Sequence, residues 1–475
     1  MMKIIFIIPP NIHYIEPYAY IEADKNNTER PSLGLLYVAA AVKDLAGVDI
    51  RIIDANVDKL TLNDLDKLIK EESPDIVGFS VLTFNILNCI EVCKIVRKCS
   101  PKTKICFGGW HPTLYPQETL SFDFVDYIVV GEGEWTFREL VQVYLGKGST
   151  LEKELKSIKG LGYRTKDGSI IINLPRDIVK NLDDLPLPAY ELVDVTKYSH
   201  LLADSGQIVN IMTSRGCPQK CVFCDVRKTP YRYRNPAGIL EEIKYWIEEG
   251  VNEFYIQDDN FAINRNRTIE LCRLLINEDL DIKYKISSRV DYIDDEIVEY
   301  LKKSGCNMIV FGVESGSQRI LNYLEKGITI QDIKKAFQSA HKFGIGCGAN
   351  IMIGVPSETR QDVDMTMSII KEIKPDHFHC SICTPMPKTY LYSKLMLEGI
   401  IVEDYWLDFA KNPQPSFKTP FASQIFTAEE LRGMQNAMQK QFYFNPRIIL
   451  SEILKTRSFK QFVSKAQMAL KMLFH

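Results

Sequence analysis

The chain has 475 residues, 45% of them hydrophobic and 25% charged, with a net charge of −3. That length exceeds one ordinary domain and the composition can bury full cores, which excludes a small disulfide scaffold. The near-neutral balance gives no bulk attraction for nucleic acid or another polyanion. Residues 3–8 form a short apolar run ended by Pro9 and Pro10. The run reads as a first strand rather than a leader or a membrane span, so a reducing cytoplasm is the expected compartment. Further strands are predicted over 49–53, 75–80, 104–107 and 126–130, with helices over 33–45, 86–99 and 135–144. Such alternation implies a parallel sheet covered on both faces, with ligands beyond the carboxyl ends of its strands. Gly108-Gly109 and Gly131/Gly133 fall at those ends. Residues 146–200 read as a linker, stiffened by prolines over 181–192. Strands then recur over 208–213, 253–257, 284–287, 308–311, 347–353 and 377–382, each followed by polar or glycine residues. That is the layout of a partial (β/α) barrel with its site on the carboxyl face. After about Tyr405 the pattern becomes helical and more basic.

Cys217, Cys221 and Cys224 give the spacing C-x3-C-x2-C on a loop just after a predicted strand. Three thiolates so close converge on one centre only if the backbone wraps around it. A four-iron cluster held by three cysteines keeps one iron open to another ligand. Zinc would require a fourth Cys or His nearby, and Cys272 and Cys306 lie far outside the loop. The other cysteines, at 89, 93, 99, 106, 272, 306, 347, 380 and 383, are expected to be buried reduced thiols.

This spacing, with Phe223 just before the last cysteine, resembles the radical S-adenosylmethionine (SAM) superfamily signature. The resemblance covers roughly 208–387 and includes Asp258-Asp259-Asn260-Phe261, Ser287 and Arg289, G-V-E-S-G-S at 312–317 and G-V-P-S-E-T at 354–359. It implies that the three cysteines hold a [4Fe-4S] cluster and that SAM chelates the open iron. Reductive cleavage would then give a 5'-deoxyadenosyl radical. SAM contacts are implied at Asp258, Asp259, Ser287, Arg289, Glu314, Gly354 and Pro356. No residue is singled out as a catalytic acid, base or nucleophile.

The first third is similar to the cobalamin-binding domain fused to one branch of this superfamily, through 31–40 (PSLGLLYVAA), 108–113 (GGWHPT) and 129–137 (VVGEGEWTF). The similarity implies corrinoid contacts at Gly34, Ser80, Gly108, Gly109, Gly131 and Glu132. The D-x-H-x-x-G motif that supplies a cobalt-ligating histidine elsewhere is missing. His13 lacks the preceding aspartate, and His111 is expected to play a structural part in its turn. The fold class is therefore α/β: a Rossmann-like cobalamin-binding domain (1–145, expected to bind its ligand in isolation), the linker (146–200), a partial (β/α)6 barrel (201–400) and a helical C-terminal region (401–475). Between Arg447 and His475 six Lys/Arg face one acid, with apolar residues at helical spacing. Such a helix suits either packing on the barrel or an anionic membrane surface.

The expected function is an anaerobic enzyme using SAM, a [4Fe-4S] cluster and cobalamin to methylate an unactivated carbon of a small or lipid-like molecule. A flavodoxin- or ferredoxin-type donor would supply electrons. Radical cyclisation, as in the anaerobic magnesium-protoporphyrin monomethyl ester cyclase, is the alternative. A corrinoid and iron–sulfur sensor or electron carrier is a second. A methylthiotransferase is disfavoured, because Cys89, Cys93, Cys99 and Cys106 do not form a second cluster loop.

Overall fold

The computed structural model describes residues 1–13, 15, 30–146, 151–198, 207–456, 463 and 465. Most of the basic tail therefore lies outside the described residues. The chain forms two units. One comprises the described residues up to Tyr198 together with Asp404–Lys418; the other comprises those between Ser199 and Glu403 and from Thr419 onward.

The first unit is built on a seven-stranded sheet. Its strands are β1 (Met2–Ile8), β2 (Val48–Asp54), β3 (Ile76–Ser80), β4 (Lys104–Gly108), β5 (Tyr127–Val129), β6 (Leu161–Arg164) and β7 (Ile170–Ile172), in the order β2-β1-β3-β4-β5-β6-β7. The first five are parallel; β6 and β7 pair antiparallel. Ile4 of β1 lies opposite both Ile50 and Ile76 and is fully buried, as a central strand covered on both faces requires. Helices over Leu33–Ala40, Leu62–Glu72 and Ile86–Cys99 and the short pair Trp110–Leu114 and Pro116–Ser121 make the crossovers, and Glu134–Leu145 follows β5 on the way to antiparallel β6. Thr61 and Asp64 close a reciprocal capping box at the start of the second. The strand order reverses between β1 and β3, so the ligand crevice of such a sheet opens at the ends of these strands and β4.

Two expectations change here. Residues 146–200 are not a free linker, because they supply β6 and β7, whose backbone groups complete the sheet beyond the short β5. The unit is also not finished at residue 145 or even at 198, since 404–418 returns to it. In that segment, within the helix Tyr405–Lys411, Trp406 is fully buried edge-on to Phe84 at 5.8 Å and tilted against Phe417 at 5.1 Å.

The second unit has strands β8 (Val209–Ile211), β9 (Ser214–Arg215), β10 (Arg232–Tyr233), β11 (Glu253–Ile256), β12 (Lys283–Ser288), β13 (Cys306–Glu314), β14 (Gly346–Ile353) and β15 (His377–Ile382). Six form a parallel sheet in the order β15-β14-β13-β12-β11-β8, and β9 and β10 make a small antiparallel pair. Consecutive strands are neighbours, joined by helices over Pro236–Glu248, Arg265–Asn277, Asp295–Lys303, Ile330–Lys342 and Arg360–Ile373. This is the expected six-stranded partial barrel. The helix Ala428–Tyr443 covers the β15 side: the Gln435 amide donates to the Cys380 carbonyl at 2.7 Å and the Tyr443 hydroxyl to that of Phe378 at 2.7 Å. The cysteines outside the C-x3-C-x2-C loop are free; all are buried except Cys99, which is half-buried.

Candidate functional site

The cysteine loop begins directly after β9, the short strand that follows barrel strand β8. Gly216 has φ +86°, and a Cβ there would lie 2.2 Å from the Pro230 carbonyl oxygen, so the turn admits no side chain. The Cys217 amide donates to Thr229 Oγ1 at 2.8 Å and the Thr229 amide returns to the Cys217 carbonyl at 3.0 Å. The Lys228 amide closes on the Gln219 carbonyl at 2.9 Å. These bonds bend residues 216–229 around a common interior, and all three cysteines face one cavity.

The adjoining strand ends wall the rest of that cavity. Asp259, Asn260, Ser287, Ser288, Arg289, Gly312, Glu314, Lys326 and Asn350 all line it. Asp259 Oδ2 accepts the Gly216 amide at 2.9 Å, which ties the end of β11 to the cysteine turn. Ser287 Oγ lies 3.1 Å from the Tyr255 hydroxyl. Arg289 is held by Asp291 through two 2.9 Å bonds, and its Nη1 donates to Cys221 Sγ at 3.7 Å. Glu314 follows a register shift in β13, has φ +62° and accepts from Lys326 Nζ at 2.7 Å; both side chains are buried. Lys326 also stands 5.9 Å from the centre of the Phe223 ring, so the aromatic residue beside Cys224 meets the far wall.

Three residues expected at the cofactor do not line this cavity. Asp258 spends its carboxylate inside the loop framework, accepting the amides of Thr213 (2.7 Å) and Ser214 (2.9 Å) and their hydroxyls. Gly354 packs on Leu431 and Pro356 is buried; neither lines the cavity. Lys326 and Asn350 were not anticipated. A lysine after a helix normally signals solvent, and only the Glu314 backbone turn makes it a wall residue.

The donor set suits an iron–sulfur cluster. Among the described residues the three sulfurs do not all lie within 4.8 Å of one another, as a single tetrahedral zinc would demand. Among the described residues no fourth Cys or His lines the cavity. Burial raises the Cys217 thiol and pushes Cys224 up to about 12, so metal must displace protons there.

Glu358 is fully buried and accepts the Gly354 and Val355 amides, while its other oxygen lacks a partner. Burial pushes its carboxyl up to about 7. The folded state then holds a proton that the unfolded chain releases above pH 4.5. Stability is expected to fall by roughly 3 kcal/mol as pH rises from 4.5 to 7, and to level off above. Glu358→Gln should flatten that slope in urea melts run across this range; an unchanged slope would show that another group titrates.

In the first unit, Leu82 (45% exposed) and Trp110 (39% exposed) each stand two residues beyond the ends of the paired strands β3 and β4. Between them Gly109, at φ +92°, approaches the Val81 backbone so closely that a Cβ would sit 2.9 Å from its carbonyl oxygen. Gly34 and Gly131 have open space where a Cβ would stand, and Ser80 and Gly108 end their strands half-buried. This apolar, side-chain-poor rim suits the broad face of a corrinoid. Glu132 is committed elsewhere in part: its Oε2 accepts the Val179 amide at 2.8 Å. His111 is fully buried with Nδ1 3.1 Å from Thr83 Oγ1, and burial holds its imidazole neutral, down to about 3. Its Nε2 is buried without a hydrogen-bond partner.

Comparison with known proteins agrees with both units. The Radical SAM superfamily model matches residues 211–370 and the B12 binding domain model matches 24–141. The chain is 33% identical, over 97% of its length and 96% of the other, to an uncharacterised methyltransferase of Pyrococcus horikoshii. It is 26% identical to the anaerobic magnesium-protoporphyrin IX monomethyl ester cyclase of Rubrivivax gelatinosus, over 91% of this chain and 77% of that one. The fold matches that of the radical SAM methyltransferase TsrM from Kitasatospora setae, solved with cobalamin and a [4Fe-4S] cluster, with a TM-score of 0.75, 16% identity and full coverage of both chains.

Proposed function

Because the chain belongs to the radical SAM superfamily, in the branch that carries a B12-binding domain and uses a [4Fe-4S] cluster, SAM and cobalamin, we propose that it methylates an unactivated carbon of a small or lipid-like molecule. The observation that carries this reading is the full-length similarity to the Pyrococcus methyltransferase, stronger in identity and coverage than that to the cyclase. When bound, the cluster supplies the electron that cleaves SAM, and the corrinoid supplies a transferable methyl group.

The residues divide the work as follows. Cys217, Cys221 and Cys224 hold the cluster. Arg289 donates to Cys221 and so counters the negative charge that reduction adds there. Asp259, Ser287, Glu314 and Lys326 offer both charge signs to the amino-acid end and hydroxyls of SAM, while Asp258, Gly354 and Pro356 lie outside the cavity. Gly34, Ser80, Gly108, Gly109, Gly131 and the backbone of Glu132 shape the corrinoid rim with Leu82 and Trp110. A flavodoxin- or ferredoxin-type protein is the proposed electron donor, and an anaerobic cytoplasm the proposed setting. No helix among the described residues is long and apolar enough to cross a membrane. The helix Pro446–Lys455 exposes Ile449, Leu450, Ile453 and Leu454, which favours peripheral contact with an anionic membrane surface.

The test is the product ratio in anaerobic incubations with reductant, methylcobalamin and candidate substrates. Methylation consumes two SAM molecules per turnover, so S-adenosylhomocysteine and 5'-deoxyadenosine should accumulate in comparable amounts, with the SAM methyl label in the product. Substrate turnover giving 5'-deoxyadenosine alone would replace methylation by cyclisation, and no SAM cleavage with any substrate would favour the sensor. Sedimenting the same protein with anionic vesicles tests the surface contact; protein left in the supernatant would remove it.

A further inference from the structure

A second group of metal-ligating side chains lies at the amino ends of the barrel strands, away from the carboxyl ends that carry the cysteine loop. His341 closes the helix Ile330–Lys342, Cys347 is the second residue of β14, and Asp376 immediately precedes β15. One ligand atom from each lies within 4.8 Å of the other two. The positions of two are fixed by the backbone. The Cys347 amide donates to Asp376 Oδ2 at 3.0 Å, and the Asp376 amide donates to the Cys347 carbonyl at 2.7 Å. We propose that His341, Cys347 and Asp376 form a zinc site that clips the end of the helix to the starts of β14 and β15.

Three features make the group suited to that ion. The ligand types are those zinc takes, and three protein ligands leave a fourth tetrahedral position for water. A thiolate and a carboxylate neutralise the dication, so the bound state buries no net charge. His341 is exposed while Cys347 is fully buried, so the site opens to solvent on the imidazole side and is closed on the sulfur side. Without metal the thiol donates to the Ile345 carbonyl at 3.5 Å. Arg447 and Lys374 lie near enough to His341 for their charges to act there and oppose a dication, so the thiolate and carboxylate must both engage for zinc to stay.

The experiment uses the full-length, cluster-loaded chain, dialysed anaerobically against buffered zinc sulfate, with zinc and iron counted by mass spectrometry. The expected result is one zinc per chain with iron unchanged, and at least tenfold weaker zinc binding in both Cys347→Ser and His341→Ala. The second variant changes an exposed side chain, so it separates lost ligation from lost folding. Zinc should also raise the melting temperature of the parent and not of the variants. Absence of stoichiometric zinc, zinc gained only as iron is lost, or a His341→Ala variant within tenfold of the parent would each overturn the proposal.

Discussion

Cys221→Ala is expected to empty the cluster site of the full-length chain. Iron after anaerobic reconstitution should drop from about four per chain to a small residue, with the visible absorption of the cluster. The loop explains the size of the effect. Cys217 exchanges bonds with Thr229, whereas Cys221 sits at the middle of the loop, accepts the Cys224 amide on its carbonyl at 3.3 Å and receives the Arg289 guanidinium on its sulfur. Removing it takes away one of three anchors and leaves that cation facing no thiolate. Two thiols, one of them raised to about 12 by burial, then compete poorly against protons for iron. Cys272→Ala is the matched control, because Cys272 is fully buried behind β11 and β12, with its thiol 3.8 Å from the Tyr284 hydroxyl. It should keep its iron. Full iron retention by Cys221→Ala would show that the ligands are elsewhere.

Trp406→Ala is expected to cost about 3–5 kcal/mol of stability in the first unit, the usual range for truncating a fully buried tryptophan. Cobalamin binding should weaken with it, while cluster iron in the second unit stays near the parent level. Trp406 fills a slot beside Phe84, the residue two positions after exposed Leu82 on the loop that ends β3. Phe409 and Phe417 close the other side of that slot, 4.4 Å apart. A cavity there frees the rim loop on which the corrinoid face would rest. The fragment 1–145 lacks this segment together with β6 and β7, so it should not bind cobalamin where the full chain does. The measurements are thermal melts and absorbance titration with hydroxocobalamin. Unchanged cobalamin affinity in Trp406→Ala would show that the return segment is only a fastener on the unit's outside.

The sequence by itself determined the two chemistries and most of the strands that carry them. Cysteine spacing is a local property, set by how tightly a loop can wrap, so 217, 221 and 224 were legible without a fold. The parallel sheets were legible because their strands are buried on both faces and read as apolar runs. Tertiary structure decided what depends on partners distant in sequence. Nothing local marks 161–164 and 170–172 as strands of the first sheet, because short strands paired antiparallel at the margin of a sheet need only a few residues. Trp406 belongs to a unit it follows by some two hundred residues, and only packing against Phe84 shows it. Among neighbouring carboxylates, Asp258 and Asp259 look equivalent in sequence. The fold turns one into the frame that holds Thr213 and Ser214 and leaves the other on the cavity wall, because adjacent residues leaving a strand end point to different sides. Lys326 is the converse case: a charged residue is placed inside because the backbone turn at Glu314 aims a carboxylate at it, and the buried pair is tolerated only when both partners are present.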